Sequence, residues 1–259
     1  MDLTGKRALI VGVANDRSIA WGIAKALHGA GAELAFTYQG EAFGKRVRPL
    51  AEGLGAGTVL DMDVTDDASL DACFDALGGR LNILIHAIAY SDKSELTGRF
   101  VNTTRSNFRN SLDISAYSLV ELARRARPLM LEAGGGSILT VSFDGSQRVM
   151  PHYNVMGVAK AALESAMRYL AADLGPEGIR VNAISPGPMK TLAGAAIGGA
   201  RRTLRHATEN APMRTGATLD AVGGAALWLC SDSAAATTGE IVHVDGGYHV
   251  MGMPHPDNL

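Results

Sequence analysis

Apolar positions in this chain come as short, dense runs separated by longer stretches with helical spacing. Arg7–Gly12 (RALIVG), Glu33–Tyr38 (ELAFTY), Thr58–Met62, Leu81–Ala87 (LNILIHA), Ser137–Ser142 (SILTVS), Ile179–Ile184 (IRVNAI) and Glu240–Val244 (EIVHV) are rich in β-branched and aliphatic residues. Near-continuous runs of this kind mark strands buried on both faces. Between them, helical spacing predicts helices over Ile19–Gly29 and Glu41–Leu54, and one from Asp66 that carries Leu70, Cys73, Phe74 and Leu77. A long helix follows over Arg105–Glu132, closed by Gly134-Gly135-Gly136. Another runs from Pro151 to about Leu174 and stops at Gly175-Pro176; the last covers Leu219–Leu229. Residues 88–104 read as a polar loop, and 185–216 have only weak periodicity.

Strand and helix alternate with short links, which predicts βαβ units. The expected architecture is a single α/β domain over residues 1–259. It is a Rossmann-type, doubly wound sheet of seven parallel strands with helices on both faces. Apolar residues at 47% and charged residues at 19% support a sizeable core and argue against disorder. The formal charge of -2 offers no basic field for nucleic acid. Cys73 and Cys230 sit in apolar helical contexts without CxxC spacing, so they read as reduced core residues, with one disulfide left open. The seven histidines show no metal spacing, and no metal is expected. Met1 leads into charged Lys6 and Arg7 rather than an apolar leader, and no apolar run reaches the ~18 residues of a membrane span. A cytoplasmic protein without membrane association is the expectation.

The candidate chemistry centres on Pro151-His152-Tyr153-Asn154-Val155-Met156-Gly157-Val158-Ala159-Lys160. At ~3.6 residues per turn, Tyr153 and Lys160 share one helix face, with Cα atoms ~10 Å apart along the axis. Gly157 between them leaves a shelf for a flat ligand, and Pro151 suits a first helical turn. A lysine charge beside a phenol lowers its pKa and makes it a better acid, and the ammonium can hold ribose hydroxyls. An ordinary helix with one buried tyrosine and one exposed lysine is the alternative. Directly after the first strand, Gly12, Ala14 and Ser18 form a loop that opens a helix at Ile19. This is not G-x-G-x-x-G, yet a helix N-terminus there offers free N–H groups to a pyrophosphate. Ser18 either caps the helix or bonds a phosphate, and Gly22 allows close approach of helix and cofactor. At the end of the second strand, Gln39 can bond a bare ribose and Glu41 repels a phosphate, while Lys45 and Arg46 face solvent on the helix. The expected cofactor is NAD, used as NADH rather than NADPH.

Several stretches carry a resemblance. Gly12-Val13-Ala14-Asn15-Asp16-Arg17-Ser18-Ile19-Ala20-Trp21-Gly22 resembles the cofactor loop of type I enoyl-[acyl carrier protein] reductases, a branch of the short-chain dehydrogenase/reductase superfamily. The similarity extends through Ile85–Asp92, Leu112–Ser118, the Tyr153 helix and Pro186–Ala193, nearly the whole chain. It implies a homotetramer that reduces the trans-2 double bond of acyl groups on acyl carrier protein, in fatty acid biosynthesis. It implies that Tyr153 bonds the thioester carbonyl and developing enolate oxygen, and that Lys160 holds the nicotinamide ribose. By the same resemblance Asp63 and Val64 flank the adenine, Ala89 and Ser91 border the cofactor, Thr191 meets the pyrophosphate, and Ile184 and Pro186 edge the nicotinamide pocket. Many relatives carry a second tyrosine where this chain has Phe143, which can pack against nicotinamide or acyl chain but cannot donate a proton.

Other positions keep two readings. His86 reads as a core or cofactor-edge histidine rather than a general base. Met150, Met156 and Met189 line an acyl pocket or simply fill core. Residues 191–210, with apolar Leu192, Ala195, Ala196 and Ile197 among glycines, read as a substrate lid, and Arg201, Arg202 and Arg205 on it either meet the acidic carrier protein or form a solvated face. Two alternatives to the reductase reading stay open. One is a carbonyl or ketoacyl reductase of the same superfamily, with Ser142 eleven residues before Tyr153 as its serine. The other is a cofactor-binding protein without turnover.

Overall fold

The computed structural model describes residues 1–192 and 194–258. Seven strands form one sheet: β1 Arg7–Val11, β2 Glu33–Tyr38, β3 Thr58–Asp61, β4 Ile83–His86, β5 Gly136–Val141, β6 Ile179–Pro186 and β7 Ile241–Val244. The order is β3-β2-β1-β4-β5-β6-β7, and every pairing is parallel. The chain leaves β1 toward β2 and β3, then returns to place β4 on the other side. That reversal is the switch point at which doubly wound sheets bind ligands, outside the carboxyl ends of their strands.

Strand alternation divides the core. Ala8 and Ile10 of β1 face one cluster, and Leu9 and Val11 face the other. The first face is covered by α1 Ile19–Gly29, α2 Gly40–Gly53 and α8 Leu219–Cys230; the second by α3 Asp67–Leu77, α5 Ser118–Glu132 and α6 Val155–Leu174. The fold class therefore matches the alternation read from the sequence. Cys73 lies in one cluster and Cys230 in the other, both unbonded, so the disulfide left open above does not exist. Burial pushes their thiols up to about 11 and about 12. Among the described residues no helix is long and apolar enough to cross a membrane, and no group of three or more His, Cys, Asp or Glu could hold a metal ion.

Three departures matter for the site. The long helix expected over Arg105–Glu132 is α4 Arg105–Leu112 and α5, joined by a π turn at Asp113–Tyr117. Ser118 Oγ donates to the Ile114 carbonyl at 2.7 Å inside that turn, and periodicity cannot reveal a single extra residue. A helix, α7 Ala200–Asn210, forms where only weak periodicity was visible; its buried side holds just Ala207 and Asn210. Most consequentially, α6 begins at Val155, not Pro151. His152 and Asn154 have φ of 65° and 45°, which a helix does not admit.

Candidate active site

Most cofactor residues read from the sequence follow the carboxyl end of a strand, while Ile184 and Pro186 lie in the last part of β6 and Lys160 inside α6. Gly12, Ala14, Ser18 and Ile19 come after β1, Gln39 after β2, Asp63 and Val64 after β3, Ala89 and Ser91 after β4, and Thr191 after β6. At Gly12 the backbone turns with φ +111°, and a Cβ would lie 2.2 Å from the Ala87 carbonyl oxygen, so only glycine fits. Ser18 neither caps α1 nor points outward. Its Oγ accepts the N–H groups of Ala14 at 3.0 Å and Asn15 at 3.1 Å, which shapes the loop. The first-turn amides of α1, which have no partner within a helix, are thereby left without a side-chain cap. The residues present fit a pyrophosphate at that helix end. Gly22 serves packing instead of the cofactor approach expected for it. A Cβ there would lie 2.9 Å from the Leu219 carbonyl oxygen, so the glycine lets α8 press on α1.

Just past the carboxyl ends of β2 and β3, Gln39 Nε2 donates to Asp63 Oδ2 at 2.9 Å. Burial raises the Asp63 pKa, but hydrogen bonds from Thr65 and Gln39 outweigh it and hold the carboxyl below its usual range. Ser91 is hydrogen-bonded to buried Asn107, and Thr191 Oγ1 accepts the Gly194 N–H at 2.9 Å.

Tyr153 lies just outside α6, so the two-turn helical geometry expected for Tyr153 and Lys160 does not hold. The tyrosine is held between two residues of positive φ, and Asn154 Nδ2 donates to the Glu95 carbonyl at 2.9 Å to fix that turn. Gly157 is no open shelf either: a Cβ there would stand 2.7 Å from the Gly145 carbonyl oxygen. The 144–146 turn fills that space, and Gly145 packs on the Tyr153 ring. Phe143 meets the Tyr153 ring edge-on, with centroids 4.8 Å apart. Tyr153, Met156, Leu96 and Ala159 form a third apolar cluster, with Phe143, Met150 and Ile197 packed against it. All four residues read as substrate-binding are thus together. Met189 packs with the first core cluster and takes no part.

The electrostatics differ from the expectation. Burial, and then the Glu164 charge, push the Tyr153 phenol well above its ordinary value, so it is not an activated phenolate. Lys160 is buried, and its Nζ donates to the Val141 carbonyl at 2.7 Å. Burial lowers it to about 8, with Glu164 acting in the opposite direction. Glu164 was missed in the sequence. It is buried one turn beyond Lys160, and its Oε1 accepts Ser142 Oγ and Ser146 Oγ, both at 2.5 Å. An acid on a helix side otherwise formed by Met156, Ala159, Leu163 and Met167 is a signal the sequence does contain. His86 is fully buried between Thr140 and Ser118. Because Ser118 Oγ donates to Ile114, it accepts from His86 Nε2–H. Burial first, and the Lys160 charge second, hold this histidine near 3, so it is neutral and structural.

A seven-stranded parallel sheet with a phosphate-fitting loop after β1, and a phenol, ammonium and apolar cluster beyond β5, defines a nicotinamide-dependent reductase. Residues 12–249 match the family model described as Enoyl-(Acyl carrier protein) reductase, and the chain belongs to that family. It is 55% identical to "Enoyl-[acyl-carrier-protein] reductase [NADH] 1" of Rhizobium meliloti (strain 1021) over 98% of this chain and 94% of the relative. The enoyl-(acyl carrier protein) reductase of Anaplasma phagocytophilum, solved in complex with NAD, superposes with a TM-score of 0.94 at 54% identity, over 98% and 97% of the two chains. FabI of Candidatus Liberibacter asiaticus gives a TM-score of 0.95 at 47% identity, over 98% of this chain and 100% of that one.

Proposed function

We infer that this chain is an NADH-dependent enoyl-[acyl carrier protein] reductase of fatty acid biosynthesis, which saturates the trans-2 double bond of a carrier-bound thioester. NADH, when bound, supplies the hydride that reaches C3 of the enoyl group, and a proton taken up from solvent completes C2. The observation that carries the reading is a buried, protonated phenol, Tyr153, set against the apolar cluster of Phe143, Met156 and Ile197. Its Oη–H donates a hydrogen bond to the thioester oxygen as negative charge develops there, which needs a phenol that keeps its proton. Lys160, still mostly an ammonium at neutral pH, holds the nicotinamide ribose. The α1 amides, with Gly12, Ala14, Ser18, Ile19 and Thr191, take the pyrophosphate. Gln39 takes the adenine-side ribose; Asp63 and Val64 flank the adenine, and Ala89 and Ser91 border the dinucleotide. Phe143, Met156 and Ile197 line the acyl chain and leave the proton role to Tyr153. Residues 191–210 act as the lid, excluding water.

The carbonyl-reductase alternative lacks support at Ser142, whose hydroxyl is committed to Glu164 and not to a substrate oxygen. We further propose a cytoplasmic homotetramer that docks acyl carrier protein. Exposed Phe108, Tyr117 and Tyr169 along α4 to α6 supply an aromatic surface for subunit contacts. The test is NADH oxidation with crotonyl and with acetoacetyl thioesters. Crotonyl thioester is reduced, and Tyr153→Phe lowers kcat by ~10²–10³, the scale of one oxyanion donor, with NADH affinity retained. Turnover of acetoacetyl thioester alone would establish the carbonyl reductase; oxidation with neither would leave a binding protein.

A further inference from the structure

A second charged device stands at the end of β2, outside the catalytic cluster. Arg48, in the third turn of α2, reaches back toward the helix N-terminus, the direction long helical side chains favour. There its Nη2 and Nη1 donate to the two carboxylate oxygens of Glu41, at 2.8 and 3.1 Å. The pair spans seven residues, more than the three or four that neighbours on a helix face normally cover. Gly44 makes the span possible, because a Cβ there would lie 3.1 Å from Arg48 Nη1 and 2.8 Å from Tyr38 Cε2. Tyr38, the last residue of β2, is buried beneath; its hydroxyl accepts from Arg48 Nη2, and the guanidinium carbon sits 4.6 Å from the ring centroid. A cation from well inside α2 is thus carried to the strand end that holds the adenine-side ribose in doubly wound folds.

Its setting is acidic. The Gly40 N–H donates to Asp61 Oδ1 at 2.8 Å, and Gln39 leans on Asp63. The Arg48 hydrogen bond, then its charge, holds the Glu41 carboxyl below the usual carboxylate range. Exposed ion pairs contribute little to stability, so stabilisation alone is a weak reason for a bidentate, ring-stacked arginine over a glycine. Guanidinium groups are the side chains best matched to a phosphate.

We propose that the Glu41–Arg48 pair sets cofactor choice: Glu41 keeps Arg48 occupied, so the strand end that would otherwise bind the 2′-phosphate of NADPH accepts only the bare ribose of NADH. This rests on the NADH-dependent reading above and names the residues that enforce it. Glu41 acts twice, by repelling the phosphate and by engaging the guanidinium beside it that would attract it.

The test compares wild type, Glu41→Gln, Arg48→Gln and the double variant. NADH and NADPH are titrated directly by nicotinamide fluorescence, and kcat/KM is measured with crotonyl thioester. Glu41→Gln raises NADPH relative to NADH, in both affinity and kcat/KM, by about tenfold or more, the scale of one charge-assisted hydrogen bond. The double variant loses most of that gain, and Arg48→Gln alone keeps the NADH preference. An unchanged ratio in Glu41→Gln overturns the proposal. So does an equal gain in the single and double variants, which would leave Arg48 without a part. Near-native circular dichroism in each variant separates these outcomes from misfolding. Should crotonyl thioester fail as substrate, the reaction assignment falls, and the binding ratios still decide the role of the pair.

Discussion

Gly157→Ala probes how Tyr153 is held. The added Cβ would stand 2.7 Å from the Gly145 carbonyl oxygen, against the 3.4 Å at which ordinary contact begins. The 144–146 turn must therefore retreat by several tenths of an ångström, because the obstacle is backbone and cannot rotate away. Gly145 is itself tight on the Tyr153 ring, where a Cβ would come within 2.5 Å of Cδ1. The retreat therefore shifts the packing of both Phe143 and Tyr153. Two energies compete. Alanine is favoured over glycine in a helix by up to ~1 kcal/mol, and overpacking costs typically ~1–3 kcal/mol. The net runs from about neutral to ~2 kcal/mol destabilising, a Tm loss of up to ~8 °C at ~2–4 °C per kcal/mol for a chain of this size. Activity is the sharper readout, since a misplacement of ~1 Å costs up to ~10²-fold in rate. Gly157→Ala should lower kcat with crotonyl thioester by about ten- to a hundredfold, and change NADH affinity less, because the α1 loop is untouched. Thermal denaturation and steady-state kinetics on one preparation settle it. A raised Tm with unchanged kcat would show that the turn yields freely and that the contact does not position the tyrosine.

Lys160 should make stability depend on pH. Its folded pKa of about 8 lies below the ordinary 10.5, so between these values the unfolded chain binds more protons and stability rises with pH. The stability of wild type relative to Lys160→Met should therefore grow from pH 8 to 10.5 in denaturant titrations, and a constant difference would refute the depressed value. The proposed lid gives another prediction: amide exchange in residues 194–204 should slow when NADH and an acyl analogue bind. The C-terminal end of α7 should respond less, because Asn210 already accepts the His255 N–H at 2.7 Å. Strong protection without ligand, unchanged on addition, would mean a fixed wall.

The strands were legible because a buried parallel strand has no polar face, and runs such as RALIVG and ELAFTY admit no other period. The turn between β1 and α1 was legible as a glycine between a strand and a helix start. What escaped was set by contacts distant in sequence. The helix read from Pro151 has acceptable spacing, but the Asn154 bond to Glu95 places Tyr153 in a turn that local preference does not predict. Gly22 looked like a cofactor glycine because its partner, Leu219, belongs to a helix far along the chain. The tyrosine's electrostatics were misjudged because Glu164 and the depth of burial come only with the packed structure.

The placement of Tyr153 before α6, and of Lys160 within it, means that the two groups answer to different parts of the scaffold. The lysine moves with a twenty-residue helix docked along the sheet. The tyrosine moves with a short turn tied to Glu95 and Gly145. Substitutions between residues 144 and 154 can therefore retune where the phenol sits while the buried ammonium stays in register. A chain built this way can change the length or shape of the acyl group it accepts without relearning how to hold its coenzyme.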